Sequence, residues 1–129
     1  MTTMETTFLP SPRLLAIAAI VFFVPVAASF ALAPNAWWAD YLGMLFHISL
    51  FLLVPWLPAP SWAKAAGYGW LIVDVMAGAL SINAVPDTIA QPIRLGGHIF
   101  AGLWIVTASQ FGSLPIRIVG TIAGVYLFS

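Results

Sequence analysis

Residues 65–85 read AAGYGWLIVDVMAGALSINAV. The run is long enough to cross a bilayer, because about 20 apolar residues at ~1.5 Å rise cover the ~30 Å of hydrocarbon. One residue breaks it. Asp74 is a carboxylate near the middle of an otherwise apolar helix. A charge at that depth costs roughly 2.5–3.5 kcal/mol even on the mildest insertion scale, so it marks a candidate functional site and demands a partner. The other charged residues all fall at expected helix ends or in expected loops.

Composition agrees with lipid as the solvent. The chain has 129 residues, of which 62% are hydrophobic and 6% charged. Soluble domains carry about 25% charged residues. A soluble domain of about 150 residues buries only around 70% of its extended surface, too little to hide so apolar a chain. The formal net charge is zero. Nothing therefore favours nucleic acid as a partner, and no basic run suggests a headgroup patch. There are no cysteines. That excludes disulfides, thiolate metal sites, palmitoylation and cysteine nucleophiles.

Outward from the quoted run, hydrophobicity marks four more spans. The expected set is 14–32, 38–57, 65–85, 93–111 and 114–128. The last is short, about 22 Å at the helical rise. Four complete spans are the fallback if it does not cross, and no basic cluster follows Phe128, which also suits a chain cut from a longer protein. Arg13, the run Leu14–Leu32 and Ala31-Leu32-Ala33 together resemble a secretory signal. The run is longer than the usual ~7–15 residues, and Pro34 follows the would-be cleavage point, so it reads as a retained first span.

Proline punctuates the connections. Pro34-Asn35, Pro58-Ala59-Pro60-Ser61, the segment from Pro86-Asp87 to Gln91-Pro92, and Gly112-Ser113-Leu114-Pro115 separate the spans. Ser61 and Ser113 are candidate N-caps. Pro25 and Pro55 lie inside spans and predict kinks. Short loops make successive helices antiparallel neighbours. With the N-terminus in the cytoplasm, Arg13, Lys64 and Arg117 lie inside and only Arg94 lies outside, as positive charges prefer. Trp37, Trp38 and Tyr41 then anchor the outer interface, and Trp56 and Trp62 the inner one. The expected location is the plasma or inner membrane.

Small residues predict where helices approach closely. Gly120 and Gly124 form a GxxxG in the last span. Gly97 and Ala101 stand four apart in the fourth, beside Gly102. Gly67, Gly78 and Ser81 share the Asp74 face of the third. These positions suit packing within one bundle, and the GxxxG also suits a homo-oligomer seam or docking in a larger membrane complex.

On a helical wheel Asp74 aligns with Gly67, Trp70, Ala77, Gly78 and Ser81, opposite Ile72, Met76 and Ala79. It therefore looks inward. Counting from the span ends at ~1.5 Å per residue, Asp74 lies about 16 Å deep and His47 about 13 Å deep, on antiparallel neighbours. His98 lies only about 8 Å deep by the same count, with Arg94 one turn away on its face. The expected polar site is Asp74, His47 and Ser81.

Three readings of that site stand side by side. A protonated or His47-bonded Asp74 can simply fix helix register. An Asp–His pair can relay protons or ions, extended by Ser49, Ser81, Thr107, Ser109 and Gln110. His47 and His98 can hold a non-covalent b-type haem, with Gly43, Gly96, Gly97 and Gly102 making room. Other chemistries fail on inventory. Two histidines and no cysteine make a poor zinc site even with Asp74 as a third ligand. There is no G-x-S-x-G elbow and no nucleotide-binding glycine loop. The expectation is a non-enzymatic, all-α, multi-pass membrane protein of five spans. Its expected role is a membrane subunit, scaffold or minor transporter, with a haem electron carrier as the alternative and no other cofactor.

Overall fold

A computed structural model describes residues 10–128 of the chain. Five helices account for most of it: α1 Pro12–Leu32, α2 Trp38–Leu53, α3 Ser61–Ile82, α4 Asp87–Ser109 and α5 Leu114–Tyr126. A single 3-10 turn, Val54–Trp56, continues α2. No strand occurs among the described residues. Three helical stretches, Pro12–Leu32, Trp38–Trp56 and Ser61–Ile82, are long and apolar enough to cross a membrane. The fourth helix is long but carries Arg94 and His98, and the fifth is short, about 20 Å at the helical rise.

Each helix packs principally on the next one in the chain. The arrangement is an up-and-down series. Its core is built from small side chains: Ala63, Ala66, Ala77, Ala90 and Ala101 are buried, and the largest fully buried side chains are only Leu71 and Val54. Small residues let backbones approach and leave dispersion contacts to hold the helices together. The glycines show how close. A Cβ on Gly67 would come within 2.9 Å of the Trp104 ring, and one on Gly78 within 2.8 Å of Met44 Cγ. One on Gly97 would press on Val73. Gly124 lies against the Gly102 carbonyl and the Val106 backbone, and a Cβ on Gly120 would collide with Ser109. The GxxxG is thus spent on α4 of the same chain, and these glycines are not an outward seam.

The helix ends depart from expectation at several points. Ser61 is the first residue of α3 and Pro60 takes the cap position, with no side-chain cap. Ser113 holds the cap position of α5 with extended backbone, again without a side-chain bond. Ser11 does cap, its Oγ accepting from the Leu14 N–H at 3.2 Å. Pro25 sits inside a continuous α1. Pro55 falls in the 3-10 turn, and Lys64 Nζ donates to its carbonyl at 3.2 Å. A cation there meets the negative end of the α2 dipole.

The correction that matters most is the start of α4. The proline pattern predicts a loop from Pro86 to Pro92, with the helix beginning at Ile93. Instead α4 begins at Asp87 and carries Pro92 inside it. Pro92 is near enough to the N-terminus that it removes a single hydrogen bond, to the Thr88 carbonyl. The turn before α4 is tight. Ala84 adopts φ 59°, and the Val85 N–H donates to the Leu80 carbonyl at 3.0 Å. That left-handed closure ends α3 abruptly and starts α4 three residues later. Measured from this turn, Asp74 lies about 12 Å, Arg94 about 10 Å and His98 about 16 Å along their helices. Asp74 and Arg94 occupy one level, and His98 lies one turn deeper.

Candidate functional site

Asp74 lies on the inner face of α3 and is 5% exposed. The helix itself supplies its first partner. Trp70 stands one turn earlier, and its indole Nε1–H donates to Asp74 Oδ2 at 2.8 Å. The second partner comes from α2: His47 Nε2 lies 2.8 Å from the same Oδ2. The imidazole is packed edge-on against Trp70 and Phe46, with centroids 5.8 Å and 5.0 Å away. Met44 fills the notch at Gly78, so α2 approaches α3 closely enough for the bond to form.

The protonation pattern follows from His47's other nitrogen. Nδ1 lies 2.6 Å from the Gly43 carbonyl, one turn back on α2. A carbonyl only accepts, so Nδ1 carries a hydrogen. The Nε2–Oδ2 contact then contains one proton. It sits either on the imidazole, giving imidazolium and carboxylate, or on the carboxyl, giving two neutral groups. Both placements leave the pair with zero net charge.

The other carboxyl oxygen is differently placed. Asp74 Oδ1 is buried and has no hydrogen-bond partner among the described residues. Arg94 Nε approaches it to 3.6 Å, an ion pair too long to be a hydrogen bond. Beside this group lies a cavity of about 330 Å³. Its polar wall is Asp40 and His47 from α2, Asp74 from α3, and Arg94 and His98 from α4. Its apolar wall includes Phe23, Val26 and Phe30 from α1. Four helices therefore meet around it.

The residues singled out in the sequence separate into two groups. Asp74, His47 and His98 come together on the cavity. Ser81 does not join them: its hydroxyl donates to the Ala77 carbonyl at 3.2 Å, two turns along α3. Ser49 and Ser109 likewise donate to carbonyls of their own helices. Gln110 donates to Thr121 Oγ1 at 3.0 Å and ties α4 to α5 away from the cavity. The extended relay is therefore absent from this arrangement. The haem reading meets a specific obstacle. Both nitrogens of His47 are engaged, so iron would have to displace Asp74 or Gly43.

Two contributors were not assigned from sequence. Trp70 was placed on the right face, but its N–H donor was not counted. An indole one turn before a buried carboxylate is the available signal. Arg94 was placed at an outer surface because α4 was started too late. Comparison of the chain with protein-family models, curated proteins and solved structures finds no match.

Proposed function

We propose that the chain is a five-span integral membrane protein acting as a small proton-linked transporter, with the His47–Asp74 pair as its proton-exchanging centre. Its N-terminus faces the cytoplasm and it resides in the plasma or inner membrane. The observation that carries the reading is the 2.8 Å contact between His47 Nε2 and Asp74 Oδ2 at the edge of a cavity. A group that only fixed helix register would not require a cavity lined by further titratable side chains. Proton pathways in membranes are built from such carboxylate–imidazole pairs.

Membrane residence is supported by what the helices expose. Leu14, Ile20, Val24 and Leu32 of α1 are all outward, as are Ile72 and Met76 of α3. Leaving each such side chain in water forfeits about 1.5–3 kcal/mol. Trp37 and Tyr41 at one end, and Trp62 at the other, are exposed where interfacial aromatics belong. Arg94 and His98 of α4 line the cavity, as intramembrane charges do.

The test is proton flux. Purified protein in liposomes holding a pH-sensitive dye is expected to dissipate an imposed pH gradient, and Asp74→Asn is expected to abolish that flux. Equal flux from both proteins sinks the proposal. Orientation is checked separately, because the cysteine-free sequence is a clean background. Asn35→Cys should react with an impermeant maleimide from outside intact cells, and Ala59→Cys only after permeabilisation.

A further inference from the structure

We propose that the cavity beside the pair binds a small organic monoanion, a carboxylate with a short apolar tail, through Arg94. The inference rests on the proton-exchange reading and names the cargo of that site.

Charge balance leads to it. The His47–Asp74 pair is neutral wherever its proton sits, so it does not cancel Arg94. The guanidinium makes one long ion pair to Asp74 Oδ1, at 3.6 Å, and no hydrogen bond among the described residues. Asp40, the other carboxylate on the cavity, stands in the first turn of α2, where the helix dipole already favours it. An arginine so placed needs an anion, and its planar fork fits a carboxylate with two parallel bonds. Asp40 balances the cavity's overall charge but makes no ion pair with Arg94 among the described residues, so the guanidinium still lacks a hydrogen-bonded anion. Phe23, Val26 and Phe30 offer the anion's tail an apolar wall. The volume of about 330 Å³ exceeds the need of a bare halide and lies at the small end of organic ligand sites.

The unpartnered oxygen gives the coupling. While the pair holds its proton, Arg94 is free to grip the anion. When the proton leaves, the full charge of Asp74 draws Arg94 onto Oδ1, which has no other partner among the described residues. The anion is then released. Proton and anion therefore bind together, and by linkage each raises the affinity for the other. The groups that face the pair are Asp40 on α2, Trp70 on α3, and Arg94 and His98 on α4, while α1 contributes only apolar side chains.

The experiment is equilibrium dialysis of the detergent-purified full chain with radiolabelled benzoate, with radiolabelled butylamine as the cationic control. It is run at about pH 6 and about pH 8, either side of the ordinary imidazole range. Benzoate is expected to bind saturably, more tightly at the lower pH, with proton uptake in weak buffer. Losing a charge-assisted bidentate contact should weaken binding at least about tenfold in Arg94→Gln. Arg94→Lys keeps the charge without the fork and should show a smaller loss with the pH dependence retained, which guards against a misfolded Gln variant. The proposal is overturned if benzoate fails to bind at both pH values. It is equally overturned if Arg94→Gln and Arg94→Lys both bind like the parent, or if butylamine is the probe retained. A protein that conducts protons through Asp74 yet ignores benzoate loses the anion site alone. One that binds benzoate but shows no Asp74-dependent flux loses the transport reading instead.

Discussion

His47 and Asp74 share one proton because the imidazole's second nitrogen is already committed to the Gly43 carbonyl. The tautomer is thus set by α2's own backbone. In protein labelled with ¹⁵N-histidine, the His47 Nδ1 resonance should be that of a protonated nitrogen throughout the titration, and only Nε2 should move. A neutral Nε2–H tautomer would contradict the geometry.

Asp74 substitutions should rank by the hydrogen bonds they keep. Because the Trp70 indole and His47 Nε2 both meet Oδ2, Asn keeps only one of the two bonds: an oxygen there accepts from Trp70, or a nitrogen there donates to Nε2. Leu leaves both groups buried and unpaired, at about 1–3 kcal/mol each. Thermal unfolding in detergent should therefore place Asp74→Asn below the parent and Asp74→Leu lower still. Combining Asp74→Asn with His47→Ala should give non-additive losses of about 0.5–3 kcal/mol, as for residues in direct contact. Equal stability of the Asn and Leu proteins would mean that the pair contributes nothing to the fold.

Ala84 carries a left-handed backbone at φ 59°. A non-glycine residue there costs roughly 1–2 kcal/mol. Ala84→Gly relieves that strain and loses part of the gain to unfolded-chain entropy, for a net stabilisation of about 0.5–1 kcal/mol. A drop in melting temperature for this variant would refute the closure assigned to the α3–α4 turn.

The α4–α5 seam has no room for side chains. Gly124→Leu should overpack it by about 1–3 kcal/mol and free α5 to limited proteolysis. Gly96→Ala is the control, because a Cβ there meets nothing within 4 Å. In an exposed helix interior that change should be neutral or gain up to about 1 kcal/mol. The two variants behaving alike would place the seam elsewhere.

The pairing of His47 with Asp74 was legible in the sequence. Both lie on apolar helices joined by a short loop, and counting residues from the ends gives a common depth. Arg94 was not legible by the same count. Proline at position 92 reads as a boundary, yet a helix tolerates proline near its start, and no residue-level pattern announces the Ala84 turn that starts α4 at Asp87. Six residues of error in one helix start move a side chain by about 9 Å, enough to take it from a surface to a site. The GxxxG was legible as a close contact. Its partner was not, because small residues say that something approaches and not what. Ser81 was misassigned for a related reason: a shared helix face two turns away is still about 10 Å from the carboxylate.

The single proton of the His47–Asp74 pair has an electrical consequence. Handing it across 2.8 Å, from imidazole to carboxyl, redistributes charge inside the pair and leaves the total at zero. A low-dielectric surrounding penalises net charge far more than a short internal dipole. The transfer is therefore nearly silent to any voltage across the helices. Only the exchange of that proton with water, through the cavity, changes the charge of the site. Membrane potential would then act on loading and unloading, leaving the hop itself indifferent to the field.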